Sequence, residues 1–239
     1  MRNIFSNPMV GIFLLFMAYS SFRSGAFSDP KEWIMRQILI LPGIVIGLTF
    51  HEFAHAVVAY KLGDDTPKVQ GRVSLSPLDH VDPIGFVALI FAGFGWGKPV
   101  EINPYNFKNR RRDELFVSFA GVVMNFLLAI LFAFILKFYI SSSGAWPGMH
   151  NMSEIISKAI FYVIYINLVL MVFNLLPIPP LDGFNIVTEL FDLRKYDWWH
   201  IVYNNGFVIL MALIFFNFTD RIMTPMLEFF WGIIQKIII

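Results

Sequence analysis

Uncharged apolar stretches close to twenty residues long recur along the chain, separated by short polar segments. A helix needs about 20 mostly apolar residues to cross a hydrocarbon core roughly 30 Å thick. Five runs approach that length: 4–22, 37–50 continued as a helix through His51 towards Tyr60, 115–136, 159–181 and 201–219. Residues 84–97 are apolar but short and carry four glycines, which suits a segment that dips in and returns. Residues 222–239 contain Glu228 and Lys236, so they either cross or lie at the interface. Residues 69–75 have strand-like composition, and 98–103 alternate around Val100 and Ile102, so the two could pair. The expected fold is an all-α polytopic membrane protein. It has five to six transmembrane helices, a re-entrant segment and a small membrane-surface β element.

Composition supports this reading. Of 239 residues, 57% are hydrophobic and 15% charged, and 27 are phenylalanine. Mean hydropathy is +0.64. Soluble domains are about half apolar and about a quarter charged, so this chain belongs in lipid. Disorder, coiled coil and nucleic-acid binding are excluded, the last by a net charge of only +1. The absence of cysteine removes disulfides, thiolate metal sites and a Cys nucleophile.

Lys61, Lys68, Arg72, Lys98, Lys108 and the run Arg110-Arg111-Arg112 all fall between the second and third apolar runs, whereas 141–157 lack Lys and Arg. Positive charge marks the cytoplasmic side, so the first of these loops is expected inside and the second outside. The arginine run then reads as a topology determinant, and secondarily as a headgroup contact. The whole of 1–239 is expected to form one integral membrane domain, with 1–36 as an N-terminal span and loop and 198–239 as C-terminal helices.

One helix carries chemistry. His51-Glu52-Phe53-Ala54-His55 has the H-E-x-x-H spacing, which puts two imidazoles on one helical face within reach of one metal ion. Glu52 lies beside them as a proton acceptor for a metal-activated water. The composition gives only about 0.003 such matches by chance. His51 is ten residues from Lys61, hence roughly 15 Å from the boundary and near mid-depth. An ionisable cluster at that depth is costly and points to function.

A catalytic zinc takes three protein ligands and leaves a fourth position open. The outstanding buried acid is Asp182, at the end of the segment Asn174-Leu175-Leu176-Pro177-Ile178-Pro179-Pro180-Leu181-Asp182-Gly183. Three prolines forbid a regular helix there, and unpaired backbone is tolerated in a membrane only inside protein or beside a wet cavity. His51 and Asp182 both fall on helices descending towards the same side, so their depths agree. Outside this set, His80 and Asp82 are expected to shape a turn rather than hold metal, and Asn125 to act as interhelical glue.

The combination His51-Glu52-x-x-His55 with Asn174-x-x-Pro177 and Leu181-Asp182-Gly183 resembles the site-2 protease family of intramembrane zinc metalloproteases. Similarity continues through 71–77, 80–85 and 95–100 and covers about 42–192, in the manner of short bacterial members without PDZ or CBS domains. The resemblance implies one Zn2+ held by His51, His55 and Asp182, with Glu52 as general base. Asn174 would help to hold the scissile carbonyl or its oxyanion. It also implies transmembrane protein substrates, a multi-pass place in the bacterial cell membrane, and an active site in the cytoplasmic half of the bilayer. One departure is Val122, where members commonly have proline after Ala-Gly, three residues before Asn125. Two other readings are a catalytically silent relative that binds membrane proteins, and a metal transporter. The dry stretch 38–50 argues against the transporter.

Overall fold

In a computed structural model, residues 28–92, 95–143 and 152–239 are described, together with 11, 15, 19 and 22. The first apolar run, 4–22, therefore lies outside the described residues apart from isolated positions.

Three helices are long and apolar enough to cross a membrane: α1 (Pro30–Lys61), α5 (Arg110–Ser143) and α6 (Met152–Asn174). Between α1 and α5 come the short helices α2 (Thr66–Val69), α3 (Pro77–His80) and α4 (Pro83–Ala92). After α6 come α7 (Asp182–Phe191), α8 (Asp197–Asn204), α9 (Gly206–Phe215) and α10 (Phe218–Ile238).

α1 begins where Asp29 accepts hydrogen bonds from the Lys31 and Glu32 amides at 3.0 Å and Pro30 occupies the first turn. It then continues without interruption through the H-E-x-x-H residues, as the apolar pattern requires. The three long helices pack on one another pairwise. Small residues set the spacing between α1 and α6. A side chain at Gly43 would stand 3.0 Å from the Tyr162 carbonyl oxygen, and one at Gly47 would lie 2.6 Å from Leu170 Cδ1. The main core joins α5, α6 and α10 through Val122, Ala129, Ala133, Leu136, Ile164, Leu168, Met171, Val172 and Ile234.

The opposite face of α5 is apolar as well. Phe116, Val123, Leu127, Leu131, Phe134 and Phe138 recur at helical spacing with 48–76% of their surface exposed. In water this stripe would be an aggregation site; against lipid it is at home. The chain is a membrane protein.

The helix break at Pro177 and the Pro179-Pro180 pair is as expected, with α6 ending at Asn174. Other expectations change. The run 201–219 is not one straight span: α8 and α9 meet at Asn205 with a 65° bend. Among the described residues there are three spanning helices, or four if that bent pair counts as one; the run 4–22 lies outside them, and a total of five to six is not confirmed. The expected β element is not a ladder. The described residues contain no strand, and a lone antiparallel bridge joins Val81 to Gly97. Pro67 and Pro77 instead start short helical turns on either side of 70–76. The bridge still informs the 84–97 segment, since its two ends meet.

The arginine run makes ion pairs and hydrogen bonds within the protein, while Arg110 and Arg112 stay about half exposed. Arg110 pairs with Glu114 at 2.7 Å, Arg112 pairs with Asp113 at 2.9 Å, and Arg111 donates to the carbonyls of Glu189 and Leu190 in α7.

Candidate metal centre

His51 and His55 lie one turn apart on α1, and Asp182 opens α7. The two Nε2 atoms are 3.0 Å apart, and each is 3.2 Å from Asp182 Oδ2. Among the described residues, this is the one group of three or more metal-ligating side chains that converge on a single point. Both histidines are buried and Asp182 nearly so.

Two backbone features bring Asp182 there. The proline-rich segment folds through tight turns, with the Ile178 amide bonded to the Leu176 carbonyl and the Leu181 amide to that of Ile178. Gly183 then passes so close to the Leu175 and Leu176 carbonyl oxygens that any Cβ would overlap them. On the other side, α5 presses on the ligands at Gly121. A Cβ there would overlap His55 Nε2 and stand 2.5 Å from His51 Cε1.

Whether these residues suit a cation depends on where the ring protons are. His55 Nδ1 lies 2.7 Å from the Val117 carbonyl, which can only accept, so that nitrogen carries the proton. His51 Nδ1 lies 2.7 Å from Asn125 Oδ1. The orientation of this amide is fixed, because Asn125 Nδ2 donates to the Gly47 carbonyl at 3.1 Å and to Asn167 Oδ1 at 2.9 Å. Asn167 is held in turn by donating to the Val163 carbonyl at 2.8 Å. His51 therefore also carries its proton on Nδ1. Both Nε2 lone pairs face Asp182 Oδ2, a buried atom that receives no hydrogen bond.

Three acceptors facing one another repel unless a cation joins them. Tetrahedral zinc bonds of roughly 2.0–2.1 Å separate ligand atoms by roughly 3.3 Å, close to the spacing here. The donor set fits zinc, and the outer hydrogen bonds are of the kind that fix ligand tautomers.

Glu52 projects from the same turn. Its Oε2 accepts a hydrogen bond from the Val100 amide at 3.0 Å. Asn174 ends α6 with its amide donating to the Leu170 carbonyl at 3.0 Å, and has no hydrogen bond to the three ligands. His80 and Asp82 take structural parts. His80 Nε2 donates to the Ser74 carbonyl at 2.7 Å, and Asp82 accepts from the Ile84 and Gly85 amides at the start of α4. Sequence reasoning missed Asn167 and undervalued Asn125. Both are fully buried polar residues within spanning helices, and that was the one available signal.

The comparisons agree with this geometry. YwhC of Bacillus subtilis (strain 168), named a candidate zinc metalloprotease, is 37% identical over 185 residues, covering 77% of this chain and 84% of its own. The chain belongs to peptidase family M50, the site-2 protease family. The M50 profile itself matches residues 140–213, the stretch containing Asn174 and Asp182. Rip2 of Mycolicibacterium smegmatis (strain ATCC 700084 / mc(2)155), similarly named, is 30% identical over 161 residues, covering 65% of this chain and 58% of that protein. No solved structure matches. For an M50 chain with this donor set, zinc is the cofactor.

Proposed function

We propose that the protein is an intramembrane zinc metalloendopeptidase that hydrolyses peptide bonds within or near transmembrane segments of other membrane proteins. The observation that carries this is a buried two-histidine, one-carboxylate cluster with Glu52 beside it, on a helix long enough to span the bilayer. Zinc bound there supplies a Lewis acid that polarises the scissile carbonyl and brings the pKa of a coordinated water towards 7.

His51, His55 and Asp182 hold the ion, and Asn125 and Val117 keep both imidazoles in the ligating tautomer. Glu52 accepts a proton from the attacking water as its oxygen bonds to the carbonyl carbon. It returns that proton to the amide nitrogen as the C–N bond breaks, so water is consumed and an acid and an amine are released. Asn174 releases its bond to Leu170 and donates to the carbonyl oxygen as negative charge develops.

A substrate helix hides its carbonyls in its own hydrogen bonds and must unwind first. The irregular segment 98–103 offers backbone for it to pair with as an added strand. The segment 84–97 is re-entrant in this reading, and the metal lies in the cytoplasmic half of the membrane. Proline substitutions at Glu101 and Ile102 should then slow cleavage. Full activity in both would remove the added strand from the account.

Glu52→Gln tests the chemistry. Zinc should remain at one ion per chain while proteolysis is lost, and membrane proteins left uncut in cells carrying that variant are the substrates. Undiminished cleavage by Glu52→Gln overturns the assignment.

A further inference from the structure

Residues 97–106 form a strap between α4 and α5 that no ladder holds, yet its position is over-determined. At its start the Lys98 amide donates to the His80 carbonyl at 2.7 Å, beside the Val81–Gly97 bridge. The buried Arg72 guanidinium grips the same end. It donates to the carbonyls of Lys98 at 3.1 Å and Pro99 at 2.8 Å, and also to that of Asp79.

At the far end, Asp64 has no exposed surface. Its Oδ2 accepts from the Asn103 amide at 2.7 Å, and its Oδ1 from Asn106 Nδ2 at 2.7 Å and from Thr66. Neither Arg72 nor Asp64 is bonded to the metal ligands or to Glu52. What they share is the strap, and the strap reaches the site through the hydrogen bond from Val100 N–H to Glu52 Oε2.

We infer that Arg72 and Asp64 are positioning residues that hold the strap so that the Val100 amide fixes the Glu52 carboxylate. This rests on the proposed role of Glu52. A buried charge is costly to leave unsatisfied, and a satisfied polar network specifies one arrangement. Here two such charges lie on opposite ends of a ten-residue segment and leave one amide aimed at the base. Oε2 is committed to that amide, and Oε1 is left for proton transfer. A base misplaced by about 1 Å can cost about a hundredfold in rate without weakening binding.

The test uses zinc-loaded protein in detergent micelles. Hydrogen exchange at the Val100 amide should be at least tenfold faster in Arg72→Gln, Asp64→Asn and Glu52→Ala than in the native chain, with amides in the middle of α1 and α5 unchanged. For a fluorogenic single-span peptide, Arg72→Gln and Asp64→Asn should lower kcat at least tenfold. KM should stay within twofold and the zinc content at one. Where Asp64→Asn loses its helical signal, Asn106→Ala replaces it, because it deletes a single Asp64 bond.

Unchanged Val100 exchange in the Arg72 and Asp64 variants overturns the proposal. So does faster exchange spread evenly over α1 and α5, or an effect confined to KM. A native protein that cuts no peptide refutes the proteolytic reading, while the exchange comparison still decides the role of the strap.

Discussion

At the scale of single residues, the metal centre depends on side chains that never touch the ion. Asn125 has three hydrogen bonds and no exposed surface, and it is the partner of His51 Nδ1. Asn125→Ala should weaken zinc binding by about 10–100-fold, the usual cost of losing a ligand's outer partner, as read by competition with a chromophoric chelator. Gly121→Ala should do more. Its methyl group has no space between the two imidazoles, so elemental analysis of the folded variant should find well under one zinc per chain.

Asp64 gives a pH signature outside the membrane. Burial pushes its pKa up, but hydrogen bonds from Thr66, Asn103 and Asn106 outweigh that and hold the carboxyl below its ordinary value of 3.8. A lowered carboxyl pKa favours the fold above the ordinary value, and that advantage disappears as pH falls through the folded value. Melting curves from pH 6 down to pH 3 should therefore fall more steeply for the native chain than for Asp64→Asn.

At the scale of elements, the placement of α7 matters most because it delivers Asp182. Its far end is locked to α5 by Arg194, which pairs with Glu189 at 2.7 Å and with Glu114. Arg194→Ala leaves the largely buried Glu189 without its cation and Glu114 with Arg110 alone. The cost should be on the order of 2–4 kcal/mol, below that of a fully buried pair because Arg194 is 28% exposed. Unfolding in detergent measures it. Helices α1 and α6 behaved as their patterns required, whereas the run 201–219 did not. Hydropathy averages over a window and cannot see that Asn205 bends that run, whereas the prolines after Asn174 are legible one by one.

For the whole molecule, a metal that joins α1 to α7 should act as a clamp. A ligand that binds only the folded state adds to its stability. Chelation should therefore lower the melting temperature and speed exchange in residues 175–185 before the α5–α6 core responds. Orientation can be read directly because the native chain has no cysteine. Single cysteines at Lys61 and Lys108 should be labelled by an impermeant reagent from one side of the membrane, and one at Ser142 from the other.

The sequence by itself determined the membrane setting, the helix carrying His51, Glu52 and His55, and Asp182 as their partner. Each of these follows from local pattern: the length of an apolar run, the 3.6-residue turn, or an acid where hydrocarbon tolerates none. Tertiary structure decided what depends on distant segments meeting. Asn125 and Asn167 look like ordinary polar residues until α1, α5 and α6 come together at Gly47. Arg72 and Asp64 read as surface charges until the strap closes over Glu52. Hydrogen-bond partners far apart in the chain leave no periodic trace, so only the fold could pair them.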